Sequence, residues 1–180
     1  MVTSGKDSYT SATRHWLESV VIGLDLCPFA KRELATERVR FSVTEATDEI
    51  ELLQVLESEL QLLFGEEQIE TTLLVHPHVL NDFAEYNQFL EMVDGLLTQM
   101  NLEGVFQIAS FHPDYQFADT QPDDVENFTN RSPYPTLHIL REASVSRAID
   151  GYPDIEQVPV RNIEKMKSLS AERLKQLFRR

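Results

Sequence analysis

The sequence predicts an α/β protein with a mainly parallel four-stranded sheet. Short apolar segments typical of strands alternate with longer segments that carry apolar residues at helical spacing. The order is β-α-β-α-β, followed by a long polar loop, a fourth strand and a helix. Crossover connections between parallel strands place helices against the sheet. We therefore expect a two-layer sandwich, resembling a rearranged ferredoxin-like fold, with a small three-layer doubly wound fold as the alternative.

Length and composition fit one domain. The chain has 180 residues, of which 42% are apolar, near the roughly 45–50% of globular proteins. Residues 1–10 are polar and are expected to form a flexible N-terminus, which leaves a single α/β domain over residues 11–180. No apolar run approaches the roughly 18 residues of a membrane span, and the start lacks a signal-peptide pattern. We expect a cytoplasmic protein with no membrane partner, in keeping with its single cysteine.

The net charge of −14 is unevenly distributed along the chain. Residues 41–160 contain 23 acids and three bases, whereas residues 161–180 contain two acids and seven bases. A surface this acidic repels phosphate backbones, so nucleic acid is not an expected partner. The three bases of the acidic region are all arginines, which makes Arg131 conspicuous.

The elements follow from local patterns. Apolar residues at helical spacing predict a helix over residues 11–25, and Pro28 can open a short helix to about Thr36. Thr47 or Asp48 can cap a helix that ends at Gly65, and Asn81 or Asp82 can cap one that reaches Met100. Strands are predicted over residues 38–43, 71–75, 105–111 and 136–140. A further helix is predicted over residues 144–151, and a basic helical tail with docking leucines over residues 162–180.

The segment between the third and fourth strands is predicted to form an ordered functional loop. A polar loop this long in a compact domain is either functional or disordered. Disordered segments contain few aromatic residues, whereas this one carries Tyr115, Phe117, Phe128 and Tyr134.

Two strands end in His-Pro corners, at His76 and His112. If these are parallel strands of one sheet, both corners lie at its carboxyl edge, where open α/β sheets bind ligands. Asp114 beside His112 suggests a histidine positioned for acid or base chemistry. The alternative is that each imidazole bonds backbone at the end of a strand.

Cys27 precedes Pro28 and is predicted to be the N-cap of the short helix. The positive end of a helix, with Lys31 and Arg32 one turn further on, would favour a thiolate and a nucleophilic role. The alternative is a small buried hydrophobe between Leu26 and Phe29.

Arg131 is the predicted anion-binding residue, with Asn130 and Ser132 as adjacent donors and Tyr115 in the same site. A guanidinium can bind a carboxylate or phosphate through two parallel hydrogen bonds. A structural salt bridge to one of the many nearby acids is the alternative.

No metal site is predicted, because Pro77 turns the chain between His76 and His78, and the sequence identifies no cofactor. Phosphate-loop, dinucleotide and nucleophile-elbow motifs are absent from the sequence.

Four blocks resemble domain-of-unknown-function family 1415, a family of bacterial proteins. They are Leu26–Ala30 (LCPFA), Thr72–His78 (TLLVHPH), Phe111–Phe117 (FHPDYQF) and Asn130–Thr136 (NRSPYPT). The resemblance extends from about Trp16 to Ile163. It implies a bacterial, stand-alone cytoplasmic protein and no particular reaction.

Two functions remain open. The first is an enzyme that acts on a small anionic metabolite, with His76, His112 and Asp114 as catalytic groups, Cys27 as nucleophile and the Arg131 loop as binding group. The second is a non-catalytic small-ligand-binding or regulatory interaction module that uses the same groups. Convergence of Cys27, the two histidines and Arg131 in one pocket would favour the enzyme. The oligomeric state is left open.

Overall fold

The computed structural model describes residues 5–152 and 154–178. Its helices are α1 (Gly5–Trp16), which continues as a π-helix (Leu17–Ile22), α2 (Ala30–Ala35), α3 (Glu49–Gly65), α4 (Phe83–Gln99), α5 (Glu142–Gly151), α6 (Val158–Ser168) and α7 (Ala171–Leu177). Its strands are β1 (Val39–Val43), β2 (Thr71–Val75), β3 (Phe106–Phe111) and β4 (Thr136–Arg141), with 3-10 turns at Val125–Asn130 and Ile155–Gln157.

The four strands form one mixed sheet in the order β1-β2-β4-β3. β1 and β2 are parallel, whereas β4 is antiparallel to both of its neighbours, β2 and β3. The prediction of an α/β protein with four strands is confirmed, and the prediction of a mainly parallel sheet is wrong. The expected ferredoxin-like arrangement is not confirmed.

The direction of β4 follows from the connection that precedes it. Parallel neighbours need a crossover, usually a helix, while antiparallel neighbours can be joined by a loop at one edge. Residues 112–135 contain only a short 3-10 turn. The chain therefore leaves β3 and re-enters the sheet as β4 at the same edge.

Helices cover both faces of the sheet. On one face, α3 and α4 pack against Leu74, Leu137 and Ile139 to form the first core. On the other face, α1, the π-helix, α6 and α7 pack around Leu73 to form the second core. The molecule thus has three layers, the number in the alternative fold expected from the sequence, and not the two layers of the first choice.

Asp48 caps α3 by accepting the Glu51 N–H at 2.8 Å, and Asp82 caps α4 by accepting the N–H groups of Ala84 and Glu85. Both caps were among the predicted alternatives. An Asp or Asn oxygen in this position satisfies donors that have no partner within the helix.

The N-terminal helix starts at Gly5, six residues before the predicted Ser11. Of the segment 1–10 expected to be flexible, residues 1–4 lie outside the described residues, and residues 5–10 belong to α1. The predicted cap of the short helix is wrong: α2 begins at Ala30 and its N-cap is Phe29. Pro28 and Phe29 form a turn instead, which separates Cys27 from the helix.

The edge strand β1 is fastened to α3 by an ion pair. Arg40 donates to both oxygens of Glu59, at 2.8 and 3.0 Å, and Ser42 donates to the same carboxylate at 2.8 Å. Burial alone would raise the pKa of Glu59, but these hydrogen bonds outweigh it and lower the pKa.

Among the described residues, no helix is both long and apolar enough to cross a membrane.

Candidate functional site

The two His-Pro corners lie at the same edge of the sheet. Val75, the last residue of β2, and Phe111, the last residue of β3, both pair with Thr136 at the start of β4. β2 and β3 run in the same direction, so the predicted common edge is confirmed. They are not adjacent, because β4 lies between them.

His76 is completely buried against α4. Its Nδ1–H donates to the Val79 carbonyl at 3.1 Å, and its ring stacks on Tyr86 with 5.7 Å between ring centroids. Burial lowers the pKa of His76 to about 4, because an apolar environment disfavours the charged imidazolium. The Nε2 atom is buried and has no hydrogen-bond partner among the described residues. His76 is therefore a neutral imidazole with one unused acceptor.

His112 is also completely buried, and both of its ring nitrogens hydrogen-bond to the backbone. Its Nε2–H donates to the Leu80 carbonyl at 3.1 Å, and its Nδ1 accepts the Asp114 N–H at 3.0 Å. An Nδ1 that accepts an amide proton carries no proton of its own. The Asp114 side chain is exposed, so in this contact the backbone of Asp114 positions the imidazole.

Tyr86 contacts the imidazole rings of both corners. It was not predicted as a site residue from the sequence. Its ring lies 5.1 Å from that of His112, and its hydroxyl donates to the Thr136 carbonyl at 2.9 Å. The same hydroxyl accepts the Phe111 N–H at 3.2 Å, and burial raises the pKa of Tyr86. The available signal was a tyrosine on the buried stripe of a helix, since a buried phenol requires a partner.

Three of the residues assigned to an anion site, Asn130, Arg131 and Ser132, donate to backbone carbonyls of the loop and of β3. Arg131 donates to the carbonyl oxygens of Pro122 at 2.6 Å and Tyr115 at 3.4 Å, and its guanidinium lies 4.2 Å from the centre of the Phe128 ring. The amide of Asn130 donates to Ser110, and the hydroxyl of Ser132 donates to Tyr134, again at carbonyl oxygens. Tyr115 packs on Phe83 and Phe117.

Asn127 is a second residue whose role the sequence did not reveal. It is fully buried; its Oδ1 accepts the Phe117 N–H and the Thr120 hydroxyl, both at 2.9 Å. Its Nδ2 donates to the Gln121 carbonyl at 2.7 Å. One amide side chain thus organises the middle of the loop.

Cys27 lies apart from the histidines. It is half-buried and packs against the second core, whereas His76 stacks on Tyr86 of the first core, across the sheet. The structure brings His76 and His112 together but does not bring Cys27 to them.

A cleft of about 710 Å³ opens at the carboxyl edge between the first turns of α3 and α4. We call it the edge cleft. Its wall includes four carboxylates, those of Asp48, Glu49, Asp82 and Glu85, together with the exposed side chain of Ile50. His78 also lines the edge cleft, with its Nε2 at 3.6 Å from the Glu45 carboxylate. Of the residues that the structure describes, the lining contains four acidic side chains and no lysine or arginine.

Within residues 5–152 and 154–178, no group of three or more His, Cys, Asp or Glu side chains is arranged to hold a metal ion.

Comparison with known proteins gives one family. The model of the family described as "Protein of unknown function (DUF1415)" matches residues 8–176. No curated protein and no solved structure gives a significant match. The family match covers nearly the whole chain and confirms the resemblance seen in its sequence blocks. The chain belongs to the DUF1415 family.

Proposed function

We propose that this protein is a non-catalytic module that binds a small amine-bearing ligand in the edge cleft. The observation that carries the proposal is the edge cleft itself, which lies beyond the carboxyl ends of the parallel pair β1 and β2. Open α/β sheets bind their ligands in this position. The volume of about 710 Å³ also falls within the roughly 300–1,000 Å³ typical of small-molecule sites.

The charge of the wall supports an amine rather than an anion. Asp48 and Asp82 already accept backbone N–H groups, and Glu49 and Glu85 add two exposed carboxylates. Carboxylates in a cleft attract cations and repel anions. Ile50, which is 68% exposed, offers an apolar surface for an aliphatic chain.

The burial of the predicted catalytic histidines and their separation from Cys27 support a non-catalytic role. His76 and His112 are buried, and Cys27 lies across the sheet from them. A general base must come within hydrogen-bond reach of the proton that it removes. The small anionic metabolite expected at Arg131 stays a prediction with less support, because the guanidinium hydrogen-bonds to the backbone carbonyls of Tyr115 and Pro122.

Isothermal titration with diaminobutane and with succinate, at constant ionic strength, tests the proposal. We expect saturable binding of the diamine, whereas any binding of the dicarboxylate should not depend on the carboxylates of the edge cleft. The double variant Glu49→Gln/Glu85→Gln should weaken diamine binding about tenfold or more, since hydrogen bonds to charged groups contribute roughly 1.5–3 kcal/mol. Glu91→Gln, an exposed acid further along α4, is the control and should bind as the wild type does. A wild type that does not bind the diamine, or diamine binding that is unchanged in the double variant, would overturn the proposal.

His76 favours an enzyme as the second candidate. Its buried Nε2 has no partner among the described residues, and a neutral imidazole nitrogen can accept a proton from a substrate once the edge opens. The decisive experiment is NMR observation of turnover in a library of small metabolites, with His76→Gln compared with the wild type. Turnover that the variant loses would support the enzyme; binding without turnover in the wild type would exclude it.

A further inference from the structure

A second pocket lies on the opposite side of the sheet from the first core. It encloses about 170 Å³ between α6, the turn that follows the π-helix and Tyr152. We call it the α6 pocket. The helix contributes Val158, Arg161, Asn162 and Lys165. These positions follow the spacing i, i+3, i+4 and i+7, so they form one face of the helix.

The walls of the α6 pocket are held in place by specific contacts. Asn162 donates from Nδ2 to the Leu26 carbonyl at 2.8 Å, which fixes α6 against the turn. The Arg161 guanidinium lies 5.5 Å from the centre of the Tyr152 ring, and that ring packs edge-on against Phe29. The arginine is thereby oriented by an aromatic face.

The pocket carries an excess of positive charge in a protein of net charge −14. Arg161 and Lys165 line it, with Asp25 as the opposing carboxylate. Within the ranges that the structure describes, neither cation forms an ion pair with an acidic side chain. Two cations against one carboxylate leave a net charge of about +1 in the pocket.

We infer that the α6 pocket binds a small oxyanion, the carboxylate or phosphate group of a small metabolite. A guanidinium binds two oxygens of such a group in one plane, and an adjacent ammonium adds a point charge. The volume of about 170 Å³ equals that of roughly five or six waters at about 30 Å³ each. This is enough for a phosphate or a short carboxylate, and it is below the roughly 300 Å³ at which drug-sized sites begin.

This site is distinct from the edge cleft and from the anion site predicted at Arg131. The sequence contained a signal for it in the excess of bases over residues 161–180. Arg161 and Lys165 are four residues apart, which places both on one face of a helix. The opposite wall of the pocket could not be predicted from the sequence. The turn after the π-helix and Tyr152 are brought to this face of α6 only by the fold.

Isothermal titration of the full chain with inorganic phosphate and with malonate, at constant ionic strength in chloride, tests the inference and separates the two ligand classes. We expect saturable binding of at least one probe. Arg161→Gln and Lys165→Gln should each weaken it about tenfold or more. Lys167→Gln and Arg173→Gln remove exposed cations that do not line the pocket, so these controls should bind as the wild type does.

Asp25→Asn provides a test in the opposite direction. Asp25 has a positive φ of 57°, a conformation that Asn adopts readily, so the turn is kept. Removing the opposing carboxylate should strengthen oxyanion binding several-fold. If the control variants weaken probe binding as much as the pocket variants do, that result would overturn the inference. So would a wild type that binds neither probe at millimolar concentration, or an Asp25→Asn variant that binds more weakly.

Discussion

His76 connects the burial of a single side chain to the pH dependence of the whole protein. The ring lies between the end of β2 and Tyr86, and its Nδ1–H is committed to the Val79 carbonyl. In the unfolded chain the same imidazole is hydrated and has a pKa of about 6.5. Because burial lowers the pKa to about 4, the unfolded chain binds a proton more readily than the native protein.

The stability of the native state should therefore fall as the pH falls from about 6.5 to about 4. Above this window His76 is neutral in both the native and the unfolded state, so its full contribution to the free energy of unfolding is present. Within the window only the unfolded state is protonated at His76. A pKa that falls from about 6.5 in the unfolded chain to about 4 in the native protein corresponds to a loss on the order of 3 kcal/mol for His76 alone. Urea unfolding at several pH values between about 7.5 and 4.5 measures it.

His138 should add to the same slope, because burial lowers its pKa to about 4 as well. His138→Gln is expected to reduce the slope. His15→Gln, which removes an exposed histidine of α1, is the control and should leave the slope unchanged. A free energy of unfolding that does not change across the window would contradict the assignment of a neutral, buried His76.

The sequence predicted the positions of the site residues better than it predicted what each side chain contacts. The corners at His76 and His112 were predicted because Pro follows both residues and both strands follow helical connections. Which atom bonds to which could not be predicted: the Nδ1 of His112 accepts an amide two residues further on, and Arg131 reaches carbonyls nine and 16 residues away. Such contacts depend on how the loop folds back on itself.

The loop of residues 112–135 is the element that determines the topology of the sheet. It leaves β3 at His112 and returns at Pro135, whose carbonyl accepts the His76 N–H at 3.0 Å. The strands themselves were predictable from their apolar character. The direction of β4 was not, because it depends on whether this connection crosses over the sheet, and loop sequences do not encode their path by periodicity.

Arg131→Lys should destabilise the protein by about 1–3 kcal/mol, since a flexible ammonium cannot keep two carbonyl contacts and the stacking on Phe128 together. Urea unfolding measures the loss, and limited proteolysis within the loop should become faster. Arg147→Lys is the matched control: Arg147 is exposed and approaches Glu70 at 3.8 Å, so its change should cost less than about 1 kcal/mol. Unchanged stability of Arg131→Lys, together with lost binding of succinate or phosphate, would restore the anion site at this position.

The whole molecule is stabilised by two cores separated by the sheet. β2 is buried along its full length because Leu74 faces α3 and α4, while Leu73 faces α1 and α6. The sequence indicated the first core through the stripes of two long helices. It also indicated that the tail of residues 162–180, of which 179 and 180 lie outside the described residues, has leucines that can dock. That the tail completes a third layer follows only from where it packs, at Met166 and Leu174.

A substitution in α6 tests whether this third layer is integral to the fold. Met166 of α6 is fully buried in the second core, so Met166→Ala should create a cavity and lower the free energy of unfolding by about 2–5 kcal/mol. Val160→Ala is the control within the same helix; Val160 is 49% exposed, and its loss should change stability by no more than about 0.5 kcal/mol. Both are measured by urea unfolding, followed by tryptophan fluorescence, because Trp16 lies in the same core. Equal effects of the two substitutions would mean that α6 does not contribute to the cooperative unit, whereas the expected difference, seen in a single transition, would mean that the basic C-terminal segment folds together with the sheet.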